Sequence, residues 1–348
     1  MRSSVRRVVL AAVLVVATVS GSLVAGGPWS HRAQASAPAI RVGYFPNITH
    51  AQAVLGFGTG AFAHALPGVS VQGEVFNAGP DEMNALFAGA IDIGYIGAGP
   101  AIKGYVASHG GLYIVAGAAT GGSLLVARAG TGIKTVKDLA GKRVAIPQVG
   151  NTQDILLRAL LARAHLSPTE RGGSVRILAV QNPDTLALFE RGDLDAALVP
   201  EPWGSRLIAT TGARIVLDWQ QIDGGTTPVT VVIVAAPFLK AHPDLVVRFL
   251  RVHLTLTRQV QATHLRQYKG GVAAALNAQI KVLTGKALSA GVLSGALART
   301  SFSTTIDQGA LKRFAGYSIA AGFLKHDANI AALVNTWPLA HLNDASIK

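Results

Sequence analysis

Residues 74–100, EVFNAGPDEMNALFAGAIDIGYIGAGP, and residues 178–202, LAVQNPDTLALFERGDLDAALVPEP, carry one pattern twice. Each reads as a strand, an Asn and a Pro that open a helix, a Gly-x-x-Asp, a short strand and a Pro. Gly89 answers to Gly192, Asp92 to Asp195 and Pro100 to Pro202. A further strand-to-loop unit precedes each copy, RVGYFPNITHA at 41–51 and RVAIPQVGNTQ at 143–153. Two similar α/β lobes on one chain imply a cleft between them, and such clefts take small ligands.

Working outward, the patterns predict a strand over 40–45, a helix over 51–66 and a strand over 69–76. Residues 77–80 open the next helix. Pro80 suits its first turn, Asp81 and Glu82 favour its positive end, and Met83, Leu86 and Phe87 give it an apolar stripe. A short strand over 91–96 leads to a helix that starts at 97–100. Strands over 112–118 and 124–127 flank Gly121, Gly122 and Ser123, and a short helix over 135–141 follows. The second lobe runs as strand 143–146, helix 152–164, strand 175–180, helix 183–191 and strand 196–199. The β-branched run 229–235 crosses back to the first lobe. From 237 the chain is mostly helical, with Val246, Phe249, Leu250 and His253 on one face.

These alternations predict an α/β fold of two lobes, each a mainly parallel sheet flanked by helices. The first lobe takes 36–124 and 229–348, including the C-terminal helices, and the second takes 125–228. Hinge segments near 124–127 and 226–232 would let one lobe close over the other.

Residues 1–35 read as an export leader: Arg2, Arg6 and Arg7, an apolar run over 8–19, and Ala33-Gln34-Ala35 before Ser36. Cleavage before Ser36 is expected, with an uncleaved anchor as the alternative. The Arg6-Arg7 pair leaves the export route open between the general and twin-arginine pathways. The chain has no cysteine, which excludes disulfides, thiolate metal sites, a Cys nucleophile and a lipid-modified cysteine anchor. Taking the leader's four arginines from the 31 basic residues leaves 27 against 18 acids, a net charge of +9. The basic residues are dispersed, so an anionic ligand or cell surface explains the charge better than nucleic acid.

Four loops repeat one construction, a strand end followed by Gly, Asn, Thr or Pro and then a helix start: 47–50, 97–100, 150–153 and 200–203. In a doubly wound sheet such loops lie where ligands bind, and helix N-termini offer free N–H groups to an oxoanion. Trp203 is a candidate wall for an apolar ligand tail or a core residue. His50 is a candidate anion donor or a surface cap. The ten histidines show no metal-ligand spacing. Gly56-Phe57-Gly58-Thr59-Gly60-Ala61 matches a dinucleotide fingerprint but follows a helical stretch, not a strand. No G-x-S-x-G elbow occurs, and Asp92, Asp193 and Asp195 sit at turns before strands, as caps rather than a catalytic pair.

The segments RVGYFPNITHAQAVLG, FNAGPDEMNALFAGAIDIGYIGAGPAI, IKTVKDLAGKRVAIPQVGNTQDILLRALL and LFERGDLDAALVPEPW together resemble the substrate-binding proteins of ABC importers for nitrate, aliphatic sulfonates and taurine. The aliphatic sulfonate members are most similar, through FNAG, GNTQD and EPW. The resemblance implies a periplasmic-binding-protein fold of the two-crossover type II. It implies a monomer without cofactor or metal, active in the periplasm or on the outer face of the cytoplasmic membrane. Such a protein captures a small anion by closure and delivers it to a permease driven by a separate ATPase, in the service of sulfur metabolism. It also implies that Asn47, Thr49, His50, Gly97, Ala98, Gly99, Ser123, Asn151, Thr152, Gln153, Glu201 and Trp203 line the cleft. No Lys or second His stands at these loops, a departure from the cation-supported nitrate and bicarbonate sites. The alternatives are a protein that binds nitrate, bicarbonate or a thiamine pyrimidine precursor, or an enzyme on the same scaffold.

Overall fold

The two copies of the Gly-x-x-Asp pattern build two sheets of the same topology. The computed structural model describes residues 38–265 and 270–347. The expected leader and its cleavage before Ser36 lie outside the described residues. The first sheet is built from β1 (Ala39–Tyr44), β2 (Ser70–Val75), β3 (Ile93–Ile96), β4 (Leu112–Gly121), β10 (Thr230–Ala235) and β11 (Thr300–Phe302), in the order β11-β4-β10-β3-β1-β2. The second takes β5 (Ser123–Ala127), β6 (Arg143–Ile146), β7 (Arg176–Ala179), β8 (Ala196–Pro200) and β9 (Arg214–Leu217), in the order β7-β6-β8-β5-β9. In each sheet the first three strands are parallel neighbours, and one strand, β10 or β5, runs against its two partners. β10 reads TVVIVA and is buried along nearly all its length, as a strand covered on both faces must be.

A forked ion pair fixes the parallel strands of each sheet. Arg41, in β1, donates its backbone N–H and Nε to Asp92 Oδ2, both at 2.9 Å, and Nη2 to Oδ1. Its remaining nitrogen reaches the Gly89 carbonyl. In the second sheet Arg143 meets Asp195 with the same three groups, and Nη2 also reaches the Gly192 carbonyl at 2.6 Å. The Asp92 and Asp195 amides return bonds to the Arg41 and Arg143 carbonyls at 2.8 and 2.9 Å. The repeated Gly is required as well: Gly89 and Gly192 take φ of 67° and 79° where each helix ends. The Arg143 hydrogen bonds lower the Asp195 pKa to about 2. The caps expected at Asp92 and Asp195 are thus strand locks.

Helices cover both faces. α1 (Ala51–Gly58), α2 (Ala61–Ala65), α10 (Pro243–Leu265), α11 (Gly271–Thr284) and α12 (Ala290–Ala298) pack on the outer face of the first sheet. α3 (Gly79–Phe87), α4 (Ala98–Ala107), α5 (Thr152–Arg163) and α13 (Gln308–Ala320) fill a core that touches both sheets. α6 (Asn182–Arg191) and α7 (Trp203–Thr211) cover the far face of the second sheet. α8 (Trp219–Asp223), α9 (Ala236–Ala241), α14 (Ile330–Leu333) and α15 (Trp337–Ala340) are short connectors. The stripe Val246, Phe249, Leu250 and His253 is fully buried on α10, and His253 bonds the Tyr95 hydroxyl and the Gly117 carbonyl, both at 2.9 Å.

The helix expected over 51–66 is broken. The chain turns at Gly60, with φ of 69°, and Phe62 folds back over Gly56 to stack on Phe249 at 4.8 Å. A Cβ on Gly56 would lie 2.3 Å from that ring. Tertiary packing of one aromatic outweighs helix continuation here. β9 and β11 are short edge strands that periodicity did not announce.

Glu82 stands in the first turn of α3, as its sequence position implied, but is turned inward. It is 0% exposed, its carboxyl rests over Gly43 and Gly94, and neither oxygen has a hydrogen-bond partner. Burial raises its pKa well above the ordinary value, so the folded chain holds a proton that the unfolded chain releases. Stability should therefore fall as pH rises above the ordinary carboxylate range. Glu82→Met should stabilise the protein at neutral pH by about 1–3 kcal/mol and flatten that slope. Thermal melts across pH check this, and a destabilised variant would show that the carboxyl has a partner.

Candidate functional site

The carboxyl ends of both sheets face one cavity. Five helical starts meet there. After β1 the chain turns through Asn47 into a 3-10 turn, Ile48–His50, and α1. The Phe45 amide donates to His50 Nδ1 at 3.3 Å, so the proton of the neutral ring sits on Nε2. Burial lowers the His50 pKa to about 3, and the ring packs on Phe45 at 4.3 Å. Asn77, Ala78 and Gly79 bring in the start of α3, and Gly97 that of α4. A Cβ on Gly97 would lie 2.0 Å from Thr152 Oγ1, so glycine is what lets the two lobes' loops meet.

From the second sheet come α5 and α6. Asn151 caps α5, accepting the Asp154 amide at 2.8 Å, and its amide nitrogen donates to Gln153 Oε1 at 3.2 Å. Gln153 in turn donates to Ser123 Oγ at 3.1 Å. Thr152 and Gln153 occupy the first two helical positions, whose N–H groups have no acceptor within the helix. Asn182 opens α6. Thr152 Oγ1 and Asn182 Oδ1 are buried and have no hydrogen-bond partner. Buried polar atoms are nearly always satisfied, so such a pair in a cavity wall points to a ligand. Among the described residues no Asp, Glu, Lys or Arg lines the cavity.

Of the residues singled out in the sequence, Asn47, Thr49, His50, Gly97, Asn151, Thr152 and Gln153 line this cavity. Ala98 and Gly99 lie behind it, where a Cβ on Gly99 would meet Ile155 at 2.6 Å. Ser123 stands one residue back, holding Gln153. Trp203 walls a neighbouring recess, not the cavity, and its Nε1 donates to Asn47 Oδ1 at 2.8 Å. Glu201 is fully buried outside the cavity lining and accepts from the Ser205 amide and hydroxyl at 3.1 and 2.8 Å. Phe45, Asn77 and Asn182 were missed. The signal for the two asparagines was the repeat itself, because each opens the helix of its copy. Among the described residues no group of three or more His, Cys, Asp or Glu could hold a metal ion.

Three of the contacts that join the two sides of the cavity are Trp203 to Asn47, the Ile48 amide to the Glu201 carbonyl at 3.1 Å, and Gln148 Nε2 to Asp81 Oδ1 at 2.9 Å.

This strand order, with ligand loops of two sheets facing each other, defines a periplasmic-binding-protein fold. The structure of the alkanesulfonate-binding protein SsuA from Xanthomonas axonopodis pv. citri, bound to MOPS, superposes with a TM-score of 0.71 at 21% identity, covering 85% of this chain and 98% of that one. The periplasmic nitrate-binding protein NrtA from Synechocystis PCC 6803 gives 0.71 at 16% identity, covering 88% and 89%. The model of the NMT1-like family matches residues 33–274, and the chain belongs to that family. The taurine-binding periplasmic protein of Escherichia coli (strain K12) is 28% identical over 186 residues, 53% of this chain and 55% of that protein. A putative aliphatic sulfonates-binding protein of Bacillus subtilis (strain 168) is 28% identical over 53% and 54%. The chain thus spans about half the length of the curated relatives it matches. Among the described residues no helix is long and apolar enough to cross a membrane.

Glu201 also lies 3.6 Å from Arg299, which follows α12, so this carboxyl ties the second sheet to the first sheet's helices. Burial raises its pKa to about 7, against an ordinary 4.5. Stability should fall as pH rises across that window, by on the order of 3 kcal/mol from this group. Glu201→Gln should remove that part of the slope in thermal melts. An unchanged slope would mean that Arg299 keeps the carboxylate charged throughout.

Proposed function

We propose that this chain is the extracytoplasmic solute-binding component of an ABC importer, and that its cavity captures a small organic oxoanion, an aliphatic sulfonate or taurine. One observation carries the reading: five helical starts from two sheets converge on an uncharged cavity holding a neutral His50 and an unpartnered Thr152 hydroxyl. Helix N-termini and neutral donors suit a strong-acid anion, which needs hydrogen bonds and no proton transfer. Asn182 contributes after a half-turn of its amide, which presents Nδ2 to the ligand.

The taurine-binding and sulfonates-binding relatives support a binding role rather than catalysis. The partners on this reading are a membrane permease and its ATPase, the protein acts as a monomer outside the cytoplasmic membrane, and sulfur supply is the physiological purpose. Release requires the three contacts across the cavity to part while the crossings near Gly121–Gly122 and 224–229 bend. A thiamine pyrimidine is the second reading, since the packed Phe45 and His50 offer a ring one aromatic face.

A thermal-shift screen of the purified protein decides among these. Alkanesulfonates should raise the melting temperature, as ligand at a thousand times its Kd adds about 4 kcal/mol. Sulfate, nitrate and bicarbonate should do so weakly or not at all. Thr152→Val should keep the fold and lower sulfonate affinity about tenfold, the loss of one charge-assisted hydrogen bond. A shift with the pyrimidine alone, or with no compound, would overturn the sulfonate reading.

A further inference from the structure

We propose that a recess beside the cavity is a compartment for an apolar ligand tail, which makes the substrates alkyl- or arylsulfonates and disfavours taurine. The inference rests on the reading of the cavity as the sulfonate head site. Asn47, Asn77 and Asn182 line both spaces, so the recess adjoins the cavity. Beyond these asparagines its wall is mostly apolar: Pro46, Val75, Phe76, Pro183, Trp203 and Leu283. Trp203 is 4% exposed, and its bond to Asn47 holds the indole against this recess when the two sides of the cavity are closed together.

Charge separates the candidate tails. Among the described residues no carboxylate lines either space. The rim instead carries a cation: Arg206 lies 4.8 Å from the Trp203 ring and donates to Thr284, itself part of the recess wall, at 3.2 Å. The ammonium of taurine would lose water there, find no counter-charge and face a guanidinium. An alkyl chain or a phenyl ring would instead be removed from water against Val75, Phe76 and Trp203.

Titration calorimetry of the full chain with methanesulfonate, ethanesulfonate, hexanesulfonate, benzenesulfonate and taurine tests this. Affinity should rise with chain length, up to about fourfold per buried methylene, and taurine should bind at least about tenfold more weakly than ethanesulfonate. Val75 is 44% exposed on an edge strand, so Val75→Asp should fold normally. That variant should weaken hexanesulfonate and strengthen taurine. If sulfonates bind but affinity is flat with chain length, or taurine equals ethanesulfonate, the tail compartment is wrong and the head site stands. If no sulfonate binds, the head-site reading fails, and the tail compartment with it.

Discussion

An arginine fork on an aspartate, used once in each sheet, is the constraint on which the site depends. Asp92 and Asp195 each stand at the foot of a strand and hold the arginine of the parallel strand beside it. Because backbone amides join each fork, register is fixed as well as spacing. A one-residue slip in a strand turns every side chain to the opposite face. With the foot of each strand fixed, the loops at its other end arrive at a set height. Those loops are the ones that carry Asn47, Gly97, Asn151 and Pro200 to the cavity.

The two sheets are not independent blocks joined by a hinge alone. α13 belongs to the chain after its return to the first sheet, yet Leu311, Phe314 and Ala315 lie in one core with Leu125, Val144 and Ile155 of the second. On the opposite side Arg299 reaches Glu201, Ser205 and Asp218. The cavity is therefore bounded by contacts of different character: an apolar seam behind it and single hydrogen bonds at its mouth. The single bonds are the cheaper ones to break, which sets where the cleft would open.

Much of this was readable from sequence because its cause is local. The Gly-x-x-Asp repeat, the Pro-opened helices and the β-branched run at Thr230–Ala235 are each decided within a few residues. What was not readable depends on distant partners. Gly60 breaks a helix because Phe62 finds Phe249 nearly two hundred residues later. Glu82 looked like an ordinary first-turn acid until the strands placed Gly43 and Gly94 beneath it. Trp203 followed a loop that suggested a ligand wall, but the distant partners that hold it in place, Asn47 at its indole N–H and Arg206 over its face, were not readable. Asn77 and Asn182 were visible as helix openers, but only the meeting of two sheets turns both inward.

His50 carries a consequence of another kind. Its Nδ1 is occupied by the Phe45 amide and burial keeps the ring neutral down to about pH 3. No other titratable side chain lines the cavity. A strong-acid anion entering such a space brings no proton with it and draws none from solution. The heat of binding at this cavity would then be the same in buffers of very different ionisation enthalpy.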